Sequence, residues 1–303
     1  MSGRPHVAVV VLSWNGREHT LACLRSLEAV EYEPLSVLVV DNGSTDGSPD
    51  AVAAEHPAAA LVRLPENRGF AGGMNVGIRA ALDRGADAVV TLNNDMEVEP
   101  GFVGPLVTAL DADQAAAAAC SQILFLGEPA RIWYAGAPYR AGRGHSGRNT
   151  GYDDPPLPAS TPPYATPRAC GGAMLARREA FESVGLFDDD LFAYAEDTDW
   201  SLRAAAAGRH VLVVPASVVR HAVSASSGGE ASPDTIYYAF RNGLAVAERH
   251  APRGVLGTTL RRGEALAAHL AQALRSQRRR EGTRAVLDGW RDLRRGRLGP
   301  RPT

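Results

Sequence analysis

The first half of the chain predicts an α/β fold with a mostly parallel central sheet flanked by helices. Short apolar runs alternate with stretches of helical periodicity, and each apolar run is continuous instead of alternating with polar residues. A continuous apolar strand is buried on both faces, as in a parallel sheet covered by helices. The repeated strand–helix order indicates an open sheet, and such sheets bind ligands at the carboxyl ends of their strands.

The predicted elements follow in order from the N-terminus. Four apolar runs predict strands, at residues 7–13, 35–40, 61–64 and 88–92. Apolar residues at helical spacing, such as Leu21, Leu24 and Leu27, predict a helix after each strand. These helices are expected at residues 17–29, 48–55, 71–84 and 101–110.

This rhythm breaks between residues 127 and 168, which are rich in Gly, Pro and Arg. A structureless connection of that length is uncommon in a compact domain, so we expect a functional insertion or lid. An apolar run then enters a helix, a second helix begins at Glu196 and ends near residue 207, and residues 211–214 predict a strand with His221 after it. From about residue 235 we expect helices to the end, with a break near Pro252 and Gly254.

Composition and charge narrow the class of protein. Hydrophobic residues make up 45% and charged residues 22%, which is typical of a globular chain. Cys23, Cys120 and Cys170 lie far apart and form no CxxC pair, which argues against a disulfide framework and a zinc site. The sequence contains neither a signal-peptide pattern nor a run of about 20 apolar residues, so we expect a cytoplasmic protein.

The C-terminal segment is basic although the whole chain has a formal charge of −2. Residues 261–303 contain 12 Arg against 4 acidic residues, and Trp290 lies among them. Such a segment is ordinarily a solvated helix face. It also suits peripheral contact with the anionic inner face of a membrane, or with a lipid-diphosphate acceptor. No nucleic-acid-binding motif accompanies these arginines, so we expect no nucleic-acid partner.

Polar side chains follow each of the four predicted strands. The strand ends read SWN at residues 13–15, DNGSTD at 41–46, ENRG at 66–69 and NND at 93–95. Each of these alone is an ordinary turn composition. Because the carboxyl ends of parallel strands open onto one edge of the sheet, the four together predict a binding site at that edge.

Seven stretches carry a resemblance to a known family. They are VVVLSWNG, VLVVDNGSTDGS, ENRGFAGGMNVGI, LNNDMEV, CGGAMLARREAFESVGLFD, YAEDTDWSLR and the segment around His221. In this order they resemble the family 2 glycosyltransferases over roughly residues 6–245. That resemblance implies the GT-A fold, a nucleotide-sugar donor and inversion at the anomeric carbon. The stretches NRGFAGGMN, NND and YYAFRN look most like a rhamnosyltransferase branch that often uses dTDP-L-rhamnose.

The resemblance also implies a division of the chain. Residues 1–234 are expected to form the GT-A domain, with a nucleotide-binding half at 1–115 and an acceptor and catalytic half at 116–234. Residues 235–303 are expected to form a helical C-terminal extension. The insertion at residues 127–168 would then help to shape the acceptor pocket, and the acceptor itself is a glycan, a lipid-linked glycan or a small molecule.

Asp41 matches the family position that accepts a hydrogen bond from the N3–H of uracil or thymine. A carboxylate accepts hydrogen bonds but cannot donate one, so it favours those bases over adenine. The alternative is an Asp that caps the following turn. The strand ends and the resemblance together place nine residues at a dTDP- or UDP-sugar: Ser13, Asn15, Asp41, Asn67, Arg68, Gly69, Asn93, Asn94 and Arg241.

Asp95 and His221 are the candidate metal ligands. The diphosphate of a nucleotide-sugar carries negative charge that must be offset as the sugar is transferred. A Mg²⁺ or Mn²⁺ ion held by one or two carboxylates and by the phosphates offsets this charge. Family members bind the metal with the last Asp of the motif that reads NND here, and with a His at the position of His221. The first residue of the motif is Asn93 here, where the family often has Asp, so fewer protein charges face the metal. The alternatives are a simple turn and a structural His.

Asp197 is the candidate catalytic base, with Glu196 assisting in acceptor binding. The family has a Glu-Asp pair at this position, and one positioned carboxylate is enough to remove the proton of the acceptor hydroxyl. Acidic residues in a first helical turn, Asp199 included, also have a purely structural explanation, because they stabilise the helix dipole.

Three other functions compete with a transferase. A sugar nucleotidyltransferase would carry Arg and Lys in a Gly-rich loop near the first strand, but the chain has no lysine and reads SWNGRE there. A dehydrogenase would carry GxGxxG after that strand, and this motif is absent. A catalytically inactive sugar-nucleotide-binding or scaffold protein is disfavoured by the retention of Asp41, Asp95, Asp197 and His221.

Overall fold

The computed structural model describes residues 3–127, 129–140, 145–146, 148–223, 232–275 and 278–302. The strands are β1 (Val7–Ser13), β2 (Leu35–Asp41), β3 (Ala60–Arg63), β4 (Ala88–Asn93), β5 (Met96–Val98), β6 (Ala116–Phe125), β7 (Ile132–Tyr134), β8 (Tyr139–Arg140), β9 (His145–Ser146), β10 (Tyr164–Thr166), β11 (Ala173–Arg177) and β12 (His210–His221). The helices are α1 (Arg17–Glu28), α2 (Ser48–Glu55), α3 (Gly69–Asp83), α4 (Val103–Ala112), α5 (Arg178–Val184), α6 (Glu196–Ala206), α7 (Pro233–His250), α8 (Val255–Arg275) and α9 (Arg279–Arg294), with a short 3-10 turn at Asp189–Leu191.

The N-terminal half has the predicted parallel arrangement. Strands β4, β1, β2 and β3 lie side by side and run in the same direction. Every residue of β1 is buried, as expected for a strand covered on both faces. In the register of the sheet, Ser13 lies beside Asp41 and Leu12 beside Asn93. The polar strand ends therefore open onto one edge, as the sequence predicts.

The C-terminal half makes the sheet mixed instead of mostly parallel. Strand β11 lies between β4 and β6 and is antiparallel to both, whereas β12 is parallel to β6. Because β11 runs opposite to β4, it begins at the edge where β4 ends, with Ala173 beside Leu92. This reversal delivers the Gly171–Gly172 loop to the edge that carries the polar strand ends.

Strand β6 is the main element that the sequence does not predict. Its first residues are alanines, which have the highest helix propensity, yet all but the last residue of β6 are buried in the middle of the sheet. The strand predicted at 211–214 is also longer than expected. It continues past Pro215, through an irregularity in its pairing between Val214 and Val218, and ends at His221. His221 is therefore the last residue of a strand and does not lie in the loop after it.

The predicted insertion at residues 127–168 is joined to the sheet. Strand β7 pairs with β6, and β10 pairs with the start of β12. Tyr164 donates a hydrogen bond from its hydroxyl to the carbonyl of Ala135 at 2.8 Å, and the Asn149 side chain donates to the carbonyl of Trp133 at 2.9 Å. Residues 128, 141–144 and 147 of the insertion lie outside the described part of the chain.

Helices α7, α8 and α9 pack together and confirm the predicted helical C-terminal region. Their shared core contains Phe240, Leu244 and Val286. Buried Arg261 donates to the carbonyls of Ala247 and Ala251 and so satisfies the C-terminal end of α7. None of the helices in the described residues is long and apolar enough to cross a membrane.

Candidate active site

The ends of β1 and β4 are joined by a buried hydrogen-bond network. The Ser13 and Thr20 hydroxyl oxygens are 2.9 Å apart, and the Asn94 side-chain amide donates to the Thr20 hydroxyl at 2.9 Å. The same amide lies 3.4 Å from the carbonyl of Asn15. The side chains of Ser13 and Asn94 are thus hydrogen-bonded within the protein. We therefore assign both residues a supporting role in the site instead of direct contact with a donor.

The loop after β2 leaves one carboxylate oxygen of Asp41 available. The backbone N–H of Asn15 donates to the Ser44 hydroxyl at 2.9 Å, and the Asn15 side chain accepts from the N–H of Thr45 at 3.0 Å. Asp41 accepts from the N–H of Ser44 through Oδ2 at 3.4 Å. Its Oδ1 is buried and has no hydrogen-bond partner among the described residues. A buried carboxylate oxygen without a donor is costly unless a ligand supplies one.

Asn42 holds the loop that leads into α3. Its side-chain amide donates to the Asn67 side chain at 3.0 Å and to the carbonyl of Gly69 at 2.9 Å, and its oxygen accepts from the N–H of Arg68 at 2.9 Å. Asn67 therefore shapes this loop, while the Arg68 side chain is exposed at the rim. Gly69 has φ +73°, and an added Cβ there would collide with the backbone of Phe192.

Asp95 and His221 meet across the next part of the edge. Their side chains are buried, and His221 Nε2 lies 3.4 Å from Asp95 Oδ1. The N–H of Ala222, just after β12, donates to the Asp95 carbonyl at 2.9 Å and fixes the two segments together. The Trp133 ring contacts the His221 ring edge to face, with centroids 4.6 Å apart. The pair is thus held by three parts of the chain that are distant in sequence.

This pair fits a divalent cation that is shared with a diphosphate. A carboxylate oxygen and an imidazole nitrogen converge, and His221 Nδ1 is buried with no hydrogen-bond partner among the described residues. The described residues contain no group of three or more His, Cys, Asp or Glu side chains that could enclose a metal ion by themselves. Phosphate oxygens and water would therefore have to complete the coordination, as is usual for Mg²⁺ at nucleotides.

The acidic pair at the start of α6 is joined to the donor side through the Gly171–Gly172 loop. Asp197 accepts from the N–H of Gly171 at 3.2 Å and from the Thr198 hydroxyl at 3.1 Å. A Cβ added at Gly172 would lie 2.9 Å from the Asn93 side chain. Asn93 and Asp197 therefore lie on either side of one short loop, and a larger residue at position 172 would separate them.

Glu196 and Asp197 have different environments. Burial, followed by the charge of Asp197, raises the pKa of Glu196 to about 8, although the charge of Arg168 acts in the opposite direction. Glu196 Oε2 is buried and has no hydrogen-bond partner among the described residues. At neutral pH the protonated form of Glu196 therefore predominates, so Glu196 can donate a hydrogen bond beside Asp197. A buried carboxyl that keeps its proton at neutral pH is typical of acid–base sites.

The raised pKa of Glu196 predicts a pH-dependent stability. Between its ordinary value of 4.5 and about 8, the folded protein keeps a proton that the unfolded chain has released. The contribution of Glu196 to the free energy of unfolding is therefore fully present at low pH and is lost as the pH rises through 8. We expect Glu196→Gln to flatten that part of the profile in urea unfolding, whereas the exposed first-turn control Glu179→Gln leaves it unchanged. The same decline in the Glu196→Gln variant would contradict this assignment.

Arg241 does not occupy the predicted donor-binding position. Its buried guanidinium donates to the Tyr237 hydroxyl at 3.0 Å, to the Asn242 side chain at 2.9 Å and to the carbonyl of Gly299 at 2.8 Å. Arg241 therefore fastens the C-terminal segment to α7. The predicted contact between Arg241 and a donor phosphate is therefore wrong, because these hydrogen bonds and the Tyr237 ring surround the guanidinium.

Asp199 is structural. Burial alone would raise its pKa, but hydrogen bonds from His250 and Arg203 outweigh burial and lower it. Arg249 adds a third contact, at 2.8 Å. These bonds hold α6 against the end of α7, in agreement with the sequence-based assignment of a supporting role.

The sequence did not single out Asn42, Trp133 or Arg168. Asn42 was hidden in a stretch that reads as a turn, although its position after a buried strand was a usable signal. Trp133 and Arg168 belong to the insertion, and only the folded chain shows their positions. Arg168 donates to the Asn149 side chain at 3.1 Å and affects the ionisation of Glu196, so it links the insertion to the acidic pair.

Comparison with family models and curated proteins gives consistent results. Residues 8–185 match the model described as glycosyl transferase family 2, and residues 163–275 match glycosyl transferase family group 2. The chain is 30% identical over 298 residues to an N-acetylglucosaminyl-diphospho-decaprenol L-rhamnosyltransferase of Mycobacterium tuberculosis, covering 90% of this chain and 95% of that protein. It is 24% identical over 255 residues to the dTDP-rhamnosyl transferase RfbF of Shigella flexneri, covering 82% of each.

Solved structures share the fold at low sequence identity. A structure of GalNAc-T7 with UDP, GalNAc and Mn²⁺ superposes with a TM-score of 0.66 at 18% identity, over 97% of this chain and 57% of that one. The mannosyltransferase PcManGT from Pyrobaculum calidifontis, in complex with GDP-Man and Mn²⁺, gives a TM-score of 0.58 at 21% identity, over 97% of this chain and 87% of that one. These similarities confirm the GT-A fold.

Proposed function

The chain belongs to glycosyl transferase family 2, and we propose that this glycosyltransferase moves an L-rhamnosyl group from a dTDP-sugar to the hydroxyl group of a lipid-linked glycan. The sugar and the class of acceptor are those of the Mycobacterium relative, and the Shigella relative is likewise a rhamnosyl transferase with a dTDP donor, which supports this choice. A UDP-sugar donor and a small-molecule acceptor are the alternatives within the same chemistry.

The observation that carries the proposal is the unpartnered oxygen of Asp41. Asp41 lies at the end of β2, and its buried Oδ1 lacks a donor in the described part of the chain. Thymine and uracil have an N3–H that can supply this donor, whereas the ring nitrogen N1 of adenine carries no proton. The exposed ring of Trp14, at the end of the neighbouring strand β1, adds an aromatic surface against which a planar base can pack.

The remaining residues divide the reaction between them. Asp197 accepts the proton of the acceptor hydroxyl as its oxygen attacks the anomeric carbon, which inverts the configuration there. Protonated Glu196 donates a hydrogen bond to another acceptor oxygen. The exposed Arg68 side chain, just before α3, would contact the departing diphosphate as it gathers charge. A divalent cation held by Asp95 and His221 would offset the rest of that charge.

Contact with a membrane would bring a lipid-linked acceptor to the site, and we propose that α9 provides it. A groove of about 560 Å³ beside α9 is lined by Arg279, Arg280, Arg284 and Arg291 together with Leu274 and Leu287. Arginines beside exposed leucines suit anionic head groups next to acyl chains. Residues 276–277 of this basic segment lie outside the described residues.

Stabilisation by nucleotides tests the proposal. A ligand that binds only the folded state raises the melting temperature. Of dTDP, UDP, GDP and ADP, we expect dTDP and UDP to stabilise the protein more than ADP, because adenine lacks the N–H that Asp41 would accept. Asp41→Ala should weaken dTDP binding by about 10- to 100-fold, because a hydrogen bond to a charged group contributes about 1.5–3 kcal/mol. Transfer of labelled rhamnose to a polyprenyl-diphosphate sugar then tests the reaction itself.

Asp50→Ala is the matched control, because Asp50 is exposed and pairs with the surface residue Arg63 at 2.9 Å. Its dTDP response should equal that of the unmodified protein. Equal stabilisation by all four nucleotides, or a response that survives Asp41→Ala, would contradict the base-recognition assignment. Nucleotide binding without sugar transfer would favour a sugar-nucleotide-binding protein without catalysis.

A further inference from the structure

Helix α8 exposes an apolar stripe to solvent. Leu256, Leu260 and Leu274 are 74%, 58% and 59% exposed, whereas Leu270 is half-buried at the edge of this face because it also packs against the core shared by α7, α8 and α9. With Gly263 and Ala267 between them, these residues are spaced four, three, four, three and four apart. That spacing keeps them on one helix face, as in the seam of a coiled coil. We call the six residues the α8 stripe.

The orientation of α8 is fixed by contacts on its other face. Arg261 is buried against the C-terminal end of α7, and Arg262 binds Glu248 through two hydrogen bonds of 2.6 Å. Ala265 and Ala273 belong to the core shared by α7, α8 and α9. Rotation that buries the stripe would break these contacts, so the stripe faces outward in the folded chain.

No contact within the described chain explains why residue 263 is a glycine. A Cβ added there would meet no described atom within 4 Å. By contrast, Gly282 and Gly289 of α9 have side chains of the same chain 3.2 Å from the added Cβ. Glycine inside an exposed helix is unfavourable relative to alanine. Small residues one turn apart, such as Gly263 and Ala267, allow another helix to approach closely.

We propose that the α8 stripe is the interface of a homodimer in which two α8 helices pack antiparallel. The stripe reads the same in both directions, with two leucines, two small residues and two leucines. In an antiparallel pair related by a two-fold axis, Leu256 faces Leu274 of the second copy. Leu260 then faces Leu270, and Gly263 faces Ala267. A two-fold interface requires this self-complementarity.

The size and charge of the surface agree with a second copy as the occupant. The 21 residues of α8 span about 31 Å at 1.5 Å per residue. Two such helices in contact along their length bury an area near the lower limit of specific interfaces, about 1,000 Å², so we expect dimers at micromolar concentrations. No basic residue lies on the stripe, and the acidic Glu264 flanks its centre. The arginine-lined groove beside α9 meets the stripe at Leu274, at its end, so an anionic membrane surface is a poorer match for the rest of this face.

Sedimentation velocity of the full chain tests the dimer with two charge-matched variants. Gly263→Arg places a long side chain at the closest approach, yet it meets open space in the single chain. We expect it to raise the dimer dissociation constant at least about tenfold, with no fall in melting temperature at concentrations where both proteins are monomeric. Ala268→Arg adds the same charge at an exposed position off the stripe and should leave the dimer intact.

Cysteine pairs test the register. The native cysteines are all buried, so introduced thiols react selectively. Leu256→Cys combined with Leu274→Cys should give a covalent dimer on mild oxidation, whereas Leu256→Cys with Gln272→Cys should not. Efficient cross-linking of Leu256→Cys alone would indicate a parallel pair and overturn the proposed arrangement.

The remaining outcomes also decide the question. A protein that stays monomeric at high micromolar concentration, or a Gly263→Arg variant that still dimerises, would overturn the proposal. A monomer that co-sediments with phosphatidylcholine and phosphatidylglycerol vesicles, and loses this binding in Leu260→Asp, would overturn it in favour of a membrane-binding face.

Discussion

Replacing Asp197 with Asn is expected to lower kcat by about 10²–10⁴-fold, the usual contribution of a positioned general base. The substitution keeps the size of the side chain. The amide oxygen can still accept from the Gly171 N–H and the amide nitrogen can donate to the Thr198 hydroxyl, but an amide cannot take a proton. The donor site lies across the Gly171–Gly172 loop, so the KM for the donor and stabilisation by dTDP should change little. A selective loss of kcat would assign Asp197 to proton transfer.

Two comparisons sharpen this prediction. Asp50→Asn makes the same chemical change in the first turn of α2, away from the site, and should retain full activity. Glu196→Gln should reduce activity less than Asp197→Asn, because Glu196 is protonated at neutral pH and an amide can still donate a hydrogen bond. If Glu196→Gln causes the larger loss of kcat, the roles of the two carboxyls must be exchanged.

The sequence predicts the edge of the sheet better than it predicts the whole sheet. Strands β1 and β4 and the second half of β2 are buried on both faces, so runs rich in Val and Leu located these strands and their polar ends. Strand β6 escaped prediction because the local helix propensity of its alanines is outweighed by burial between β12 and β11. Burial of that kind depends on partners far along the chain, and a local pattern does not report it.

Candidate site residues divide in a similar way. Asp41, Asp95 and Asn93 lie at the ends of strands, and the sequence predicts where those strands end. Whether a polar side chain faces the cleft or supports it depends on its hydrogen-bond partners. Asn94 and Arg241 were expected at the donor, but Asn94 donates to Thr20 and Arg241 to Tyr237. The strand ends therefore predicted that these residues meet at one edge of the sheet, whereas the hydrogen bonds show which side chains are already engaged with the protein.

Asp95→Ala is expected to abolish the part of dTDP stabilisation that depends on Mn²⁺. Asp95 supplies the carboxylate of the candidate cation site, and His221, 3.4 Å away, is the other ligand that the described residues offer. A cation there would offset several kcal/mol of developing charge, so activity should fall by roughly 10²–10³-fold. The binding measurement is independent of turnover and therefore separates loss of the cation from loss of proton transfer.

Asp111→Ala provides the control, since Asp111 is exposed and forms a surface pair with Arg177. His221→Ala should reproduce the loss of Mn²⁺-dependent stabilisation, because the protein supplies so few ligands that neither can replace the other. Both variants should retain the metal-independent response to dTDP, which rests on Asp41. If Mn²⁺ still enhances dTDP binding in Asp95→Ala, the cation lies elsewhere and the 3.4 Å pair is a structural contact between β12 and the end of β4.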